Sequence, residues 1–417
     1  MIEKMIKEIR QIHNGNTGKW ACRGILPARP GLSRLEVIVL LIVLGVLLAL
    51  IFPAIQFSRE YMRRSACSNN IRQLCKAMAE YHDANKSLPL IGCYTAGEKD
   101  IPMGQSVRYD YPRVNSVVAL LPFLGFAEES QQILGMAKYS EDGSKNTVAG
   151  VTSGVPAMGK QLPVLHCPSE ITPNMMGEGS VMGQVLPLAS RNYLYCMGDY
   201  PEAGAFPYCQ TTRDKVNEET VQMYRQFNNN TRGAIIGLDS YRDFSYIADG
   251  MSKTILWGER VLGKNGTREI LTTARIGSVS SFDTSPNRTS PQMDCVDPAH
   301  RGKTPDVWSD GIGVLGLVGG LRAYCAIVAF SGFSTILPPG EVSCVAHANG
   351  RSMLSASSYH SGGVNVGMYD GAVHFVNNRI NASTDDVEYQ FIKEAGPSNF
   401  GVWGSMGAVD ESTVPQL

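Results

Sequence analysis

The distribution of apolar and polar positions divides the chain into three regions. From Val37 to Ser58, 22 consecutive residues (VIVLLIVLGVLLALIFPAIQFS) carry no charge and are nearly all aliphatic up to Ile55. A helix of that length covers about 33 Å, enough to span the hydrocarbon core of a bilayer. A buried core helix would usually keep a polar face, and this run has none. The next stretch keeps helical periodicity but becomes amphipathic. Ile71, Leu74, Cys75, Met78 and Tyr81 or His82 fall on one stripe, with Arg63, Arg64, Arg72, Lys76 and Glu80 elsewhere. The pattern predicts one helix from about Leu35 to Asp83, near 75 Å long. Its inner half lies in lipid and its outer half lays a stripe on a globular domain. Pro53 is expected to kink this helix or melt a turn. Asn85-Lys86-Ser87, before Leu88-Pro89, is the predicted stop.

Further on the period changes from helical to alternating. Val364, Val366 and Met368 alternate with Asn365, Gly367 and Tyr369, and Ala372, Val373, Phe375 and Val376 continue beyond Asp370-Gly371. Asp-Gly between two such runs predicts a β-hairpin, with Gly371 at the positive φ of its turn. Asp249-Gly250, after Phe244-Ser245-Tyr246-Ile247, is a second predicted tight turn. Residues 200–240 and 262–350 hold polar, glycine- and proline-rich stretches, such as 281–290, and read as long surface loops. The polar tail after Asn399 is expected to be loosely attached. No repeat of solenoid period is visible. The fold class is therefore α+β: a long N-terminal transmembrane helix followed by an antiparallel β-rich globular head.

Composition narrows the function classes. The 37 basic and 38 acidic residues leave a net charge of −1, and charged residues make up only 18% of the 417. That balance offers no concentrated basic face, so nucleic acid is not an expected partner. The 43 glycines suit short strands and many turns. Residues 1–31 carry Lys4, Lys7, Arg10, Lys19, Arg23 and Arg29 against Glu3 and Glu8, a net of +4. The positive-inside rule places that leader in the cytoplasm and everything after Ser58 outside. No small-residue cleavage site of an ordinary signal peptide follows the apolar run. Ten cysteines are scattered without a CxxC pair, which fits disulfides of an oxidising compartment better than a zinc ribbon or a thioredoxin-type centre. Their pairing stays open, except that Cys67 and Cys75 would lie about 12 Å apart along the helix, too far to bridge.

Candidate chemistry is sparse. His360 could ligate a metal with Asp370, but a single histidine ahead of a strand is more often a hydrogen-bonded structural residue. His166 and Cys167 could form a thiol–imidazole pair, yet adjacent residues on a strand point to opposite faces. Cys167 is expected to be buried or disulfide-bonded. No G-x-S-x-G, HExxH, P-loop or G-x-G-x-x-G occurs. The expectation is no catalytic residue, no cofactor and no metal, with Asp249, Gly250, His360, Asp370 and Gly371 serving structure.

One residue departs from the apolar logic. Glu36 sits at the cytoplasmic edge of the span, where a carboxylate is costly unless paired. Gly31-Leu32-Ser33-Arg34-Leu35-Glu36, followed at once by the apolar run, resembles the cleavage and methylation motif of type IV prepilins and type II secretion pseudopilins. The resemblance implies that prepilin peptidase cuts between Gly31 and Leu32 and methylates the new Leu32 amine. It also implies that Glu36 pairs with the terminal amine of a neighbouring subunit during assembly. Leu32 stands where phenylalanine is usual, and Arg34 where threonine is common.

The remainder is similar to a family of prepilin-like proteins, numerous in planctomycetes, that carries a domain of unknown function numbered 1559. Its elements appear here in order. They are Arg64 to Pro89 with Cys67 and Asn69-Asn70; Leu120-Leu121-Pro122-Phe123-Leu124; His166-Cys167-Pro168-Ser169; Asn192-Tyr193 with Gly198; and Arg232-Gly233-Ala234. The stretch Asp249-Gly250-Met251-Ser252-Lys253-Thr254 leading to Gly258-Glu259 follows, and His360 stands nine residues before Asp370-Gly371 in an H-X9-DG signature. The resemblance implies placement and architecture rather than an activity. Residues 1–31 would be a cleaved basic leader, 32–86 the pilin-like helix with its span at about 37–58, and 87–417 the outer domain. The expected role is a structural subunit of the bacterial envelope, single-pass in the inner membrane. Its partners would be prepilin peptidase, the lipid bilayer and other pilin-like subunits. A tethered binding module that does not assemble is the alternative, and an envelope hydrolase using His360 and Asp370 the remote third.

Overall fold

The computed structural model describes residues 33–89, 115–136, 156–171, 177–181, 184–200, 232–233, 242–264, 266–276, 295–296, 298–304, 306–316, 318–325, 328–345, 352–382 and 396–410. Gly31 and Leu32, the stretch 281–290, and Cys22, Cys93 and Cys209 lie outside these residues. The chain falls into two compact units, Met1–Phe57 and Ser58–Leu417.

Helix α1 spans Arg34–Asn85, two residues longer at its end than the periodicity predicts, and no turn is lost at Pro53. Its start is a capping box. The Glu36 backbone N–H donates to Ser33 Oγ (3.2 Å) and the Ser33 N–H donates to Glu36 Oε2 (2.7 Å), so two otherwise unpaired donors are satisfied reciprocally. Its end is Lys86, in the left-handed conformation at φ +56°, whose N–H reaches His82 O. In the first unit every described residue, 33–57, is exposed. α1 is the one helix among the described residues that is long and apolar enough to cross a membrane.

In the second unit the predicted stripe is buried at Ile71, Leu74, Cys75 and Met78, joined by Cys67 and Ala77, while Tyr81 and His82 are half-buried. Further helices are α2 (Val117–Leu120), α3 (Ala127–Met136), α4 (Pro156–Gly159), α5 (Val328–Ser331) and α6 (Gly401–Gly407). The strands are short. They are β1 (Gly177–Val181), β2 (Gln184–Leu188), β3 (Tyr193–Cys196), β4 (Ile255–Glu259), β5 (Ala274–Ile276) and β6 (Val314–Leu315). They continue with β7 (Gly332–Phe333), β8 (Cys344–Val345), β9 (Ser352–Met353), β10 (Gly363–Met368) and β11 (Val373–Asn377). β1 and β2 form a hairpin of their own, and the larger sheets run β11-β10-β4-β3-β7 and β6-β5-β8-β9. Most pairs are antiparallel, as expected, and each larger sheet adds one parallel pair, β3 with β7 and β5 with β8. The architecture is α+β.

In the five-stranded sheet β10, β4, β3 and β7 are buried on both faces, while the edge strand β11 keeps His374 and Asn377 exposed. The side chains of Leu194, Cys196, Ile255, Val364, Val366 and Met368 join Phe333, Trp403 and Met406 in one cluster. On the other face Tyr195 stacks on Trp257 (4.0 Å between centroids) and α1 crosses β10. Gly367 allows that crossing, because a Cβ there would fall 2.4 Å from Ile71 Cγ2 and 2.7 Å from Cys75 Sγ. Two loop expectations are overturned here. The tail after Asn399 is not loose as far as Asp410: Phe400, Trp403 and Met406, at helical spacing, are buried. Residues 262–350 hold four of the short strands and the buried Trp308 rather than loop alone.

Both Asp-Gly turns form. The Gly371 N–H donates to Met368 O (3.1 Å), the Ala372 N–H to Asp370 Oδ1 (2.8 Å), and Gly371 sits at φ +90°. This sets β10 against β11 in the register Val364↔Val376 and Val366↔His374. Gly250, at φ +98°, closes the turn from Ile247, and Thr254 Oγ1 donates to its carbonyl. A Cβ on Gly371 would meet no atom, so the cost of a side chain there is purely backbone strain. Gly371→Val is expected to lower stability by about 1–2 kcal/mol, read as a lower thermal midpoint. An unchanged midpoint would remove the turn assignment.

Candidate functional site

The dispersed sequence elements converge on one buried spot in the Ser58–Leu417 unit. It is framed from the backbone outward. Asn70, on the α1 stripe side, donates its amide to His166 O (2.9 Å) and Pro163 O (3.3 Å), holding the His166–Ser169 turn against the helix. Tyr193 OH donates to the same His166 carbonyl (3.2 Å). Asn192 Oδ1 accepts from the Cys167 N–H (3.1 Å), and its amide donates to Glu170 Oε2 (2.7 Å) and Arg260 O (3.1 Å). Asn192 thereby joins that turn to the end of β4. Asn192 and Tyr193 are buried, and their side-chain polar groups have partners, as burial requires.

Inside the frame lies His360, just before β10. Its Nδ1 is 2.6 Å from Glu60 Oε1 on α1, and its Nε2 is 3.4 Å from Glu259 Oε1 at the end of β4. Glu259 is in turn fixed by the Asn365 N–H and side-chain amide, both at 2.8 Å. Ser169 Oγ stands 3.4 Å from His360 Nδ1 and donates to Glu60 Oε2 (3.4 Å). Against Nε2 lies Cys167 Sγ at 3.4 Å, in a disulfide with Cys67 of α1. A second disulfide joins Cys295 to Cys344, while Cys75, Cys196 and Cys325 are buried thiols.

The electrostatics follow from burial. The His360 side chain is 1% exposed and that of Glu259 2%, whereas Glu60 keeps 36%. Burial alone pushes the imidazole pKa down; the Glu259 carboxylate and then Glu60 outweigh it, leaving the pKa raised above its ordinary value. A carboxylate beside each ring nitrogen favours the protonated form of the His360 imidazole.

The predicted residues are distributed as follows. His360 is central, but Asp370 is not its partner: the two stand at opposite ends of the six-residue β10, about 20 Å at strand rise. Asp370 and Gly371 belong to the β10–β11 turn, and Asp249 and Gly250 to the turn before β4. His166 faces Gln161 rather than Cys167. Glu36 is the third-position partner of Ser33 in the capping box that starts α1. Sequence reasoning missed Glu60, Glu259 and Ser169 as partners of His360. The one available signal was Glu259, a carboxylate closing the apolar strand ILWGE.

Elsewhere the Gly198 and Arg232-Gly233 elements meet each other. Arg232 Nε lies 3.1 Å from Asp199 Oδ1, both buried, and the two glycine backbones approach too closely for a Cβ.

No curated protein and no solved structure shows a match to this chain. The family described as "Protein of unknown function (DUF1559)" matches residues 56–383, well over half of the chain and nearly all of the second unit. The elements gathered around His360, from Glu60 to Asn365, fall within that match, and the chain belongs to the DUF1559 family.

Proposed function

We propose that this protein is a membrane-anchored, pilin-like structural subunit of the bacterial cell envelope, cut by prepilin peptidase between Gly31 and Leu32. The observation that carries the reading is the continuity of α1. It begins in the Ser33–Glu36 capping box, runs through an uncharged, wholly exposed stretch, and ends as a stripe buried in the DUF1559 region. An apolar surface of that length, exposed on all sides, needs a lipid or protein environment to cover it. The leader charge of +4 favours a cytoplasmic N-terminus and an outer domain beyond the inner membrane, reached by a single pass. Around His360 the buried groups are clamped to one another, which favours a structural over a catalytic duty.

Processing is tested by mass spectrometry of the N-terminal peptide from native membranes. The expected species begins at N-methylated Leu32, and a bulky residue in place of Gly31 should abolish it. Intact Met1 peptides at full abundance in the wild type would overturn the reading. Assembly is tested at Glu36. Glu36→Ala should leave membrane insertion intact and remove crosslinked oligomers, because the carboxylate is then unavailable to a neighbour's amine. Equal oligomer yields in mutant and wild type would instead favour a tethered monomer.

A further inference from the structure

Four side chains from four separate segments point one ligand atom each into the His360 spot: Cys67 from α1, Cys167 from the turn after α4, Glu259 from β4, and His360 before β10. All four are buried, and their ligand atoms lie within 4.8 Å of one another. We propose that, once the Cys67–Cys167 disulfide is reduced, these four residues form a tetrahedral zinc site. The chain then has two alternative clasps at one place, a disulfide or a metal ion.

The distances suit the ion. Zinc bonds of about 2.0–2.1 Å to nitrogen and oxygen and 2.3 Å to sulfur give tetrahedral edges of about 3.4 Å between N and O and about 3.6 Å between N and S. The observed separations are 3.4 Å from His360 Nε2 to Glu259 Oε1 and 3.4 Å from His360 Nε2 to Cys167 Sγ. The two sulfurs must part from bonding distance to about 3.7 Å, and the four ligand atoms already lie within 4.8 Å of one another. The surroundings suit it as well. A zinc-bound imidazole usually donates its other N–H to a carboxylate, and Glu60 Oε1 stands 2.6 Å from Nδ1. A ligating carboxylate is usually held by further hydrogen bonds, and Glu259 has two from Asn365. The mixed two-sulfur, nitrogen and oxygen donor set selects a borderline-soft ion over calcium or magnesium.

The exchange balances. A dithiol reductant gives two electrons and two protons to the Cys67–Cys167 bond and becomes a disulfide itself. Zinc then binds the two sulfurs as thiolates and releases their two protons, while the imidazolium gives up its Nε2 proton and keeps Nδ1–H on Glu60.

The test uses the full chain in detergent, oxidised or reduced anaerobically with a phosphine that is then removed. Each form is given zinc and desalted, and its metal content and free thiols are measured. The reduced chain is expected to retain about one zinc and the oxidised chain almost none, with zinc released on reoxidation. Cobalt(II) in place of zinc should give the reduced wild type the absorption of a tetrahedral ion with thiolate charge transfer. Glu60→Gln should weaken zinc binding about 10- to 100-fold. The Cys295→Ser/Cys344→Ser chain should bind as the wild type does. No metal uptake by the reduced wild type, or undiminished uptake by the Cys67→Ser/Cys167→Ser chain, would overturn the proposal. The cobalt spectrum needs no variant, so a folding defect in any mutant leaves the outcome readable.

Discussion

Replacing Cys67 and Cys167 together by alanine is expected to destabilise the Ser58–Leu417 unit by about 4–5 kcal/mol. The bond closes a loop across a sequence separation of 100 residues. Constraining a loop of that size removes about 4.7 kcal/mol of chain entropy from the unfolded state. The bridged ends are otherwise well placed, since Cys67 starts the buried stripe of α1 and Cys167 is held by Asn192. The measurement is urea unfolding of the full chain in detergent and zinc-free buffer. Burial of Trp257 against Tyr195 provides the fluorescence signal. A drop under about 1 kcal/mol would show that the bridge adds little to the packing around it.

The second large effect lies beside it. His360→Ala should cost about 3 kcal/mol or more, because it leaves the Glu259 carboxylate buried with Asn365 as its remaining support at that spot. The same residue imposes a pH dependence whose sign is fixed by its raised pKa. Unfolded, the imidazole titrates near 6.5; folded, it holds its proton to higher pH. The folded state therefore binds more protons in the interval between the two values, and stability falls as pH rises. The contribution is complete below about pH 6.5 and is lost as pH climbs through the folded value. Thermal midpoints of the wild type should fall across this window by more than those of His360→Gln. Parallel pH profiles in the two chains would rule out the charged clamp.

The sequence shows what is decided locally. α1 follows from an uncharged run joined to an i, i+3, i+4, i+7 stripe, and the β10–β11 hairpin from alternation around Asp370-Gly371. The Gly371 φ of +90° is what a tight Asp-Gly turn requires. The site is not local. His360 meets a carboxylate 300 residues away and another about a hundred away, and neither spacing leaves a periodic trace. Glu60 reads as one more polar residue on a solvated helix face, and only tertiary packing turns it inward to His360. The nine-residue spacing of the H-X9-DG signature does not make partners of His360 and Asp370, because β10 lies between them and holds its two ends apart. The tail was misjudged for its polar composition, although Phe400, Trp403 and Met406 recur at a helical interval that marks a buried face.

The position of the Cys67–Cys167 bond has a mechanical consequence. A pull applied along α1 from its N-terminal end reaches Cys67 before it reaches the rest of the stripe. From there the covalent path divides, and the short branch through the two sulfurs enters the turn that Asn192 and Tyr193 tie to the sheet. The longer branch leaves Cys67 along the helix through Leu74 and Met78. Tension is thus delivered to the five-stranded sheet, and the helix cannot be peeled from β10 one residue at a time. Breaking that one bond changes the response from shearing a sheet to unzipping a helix.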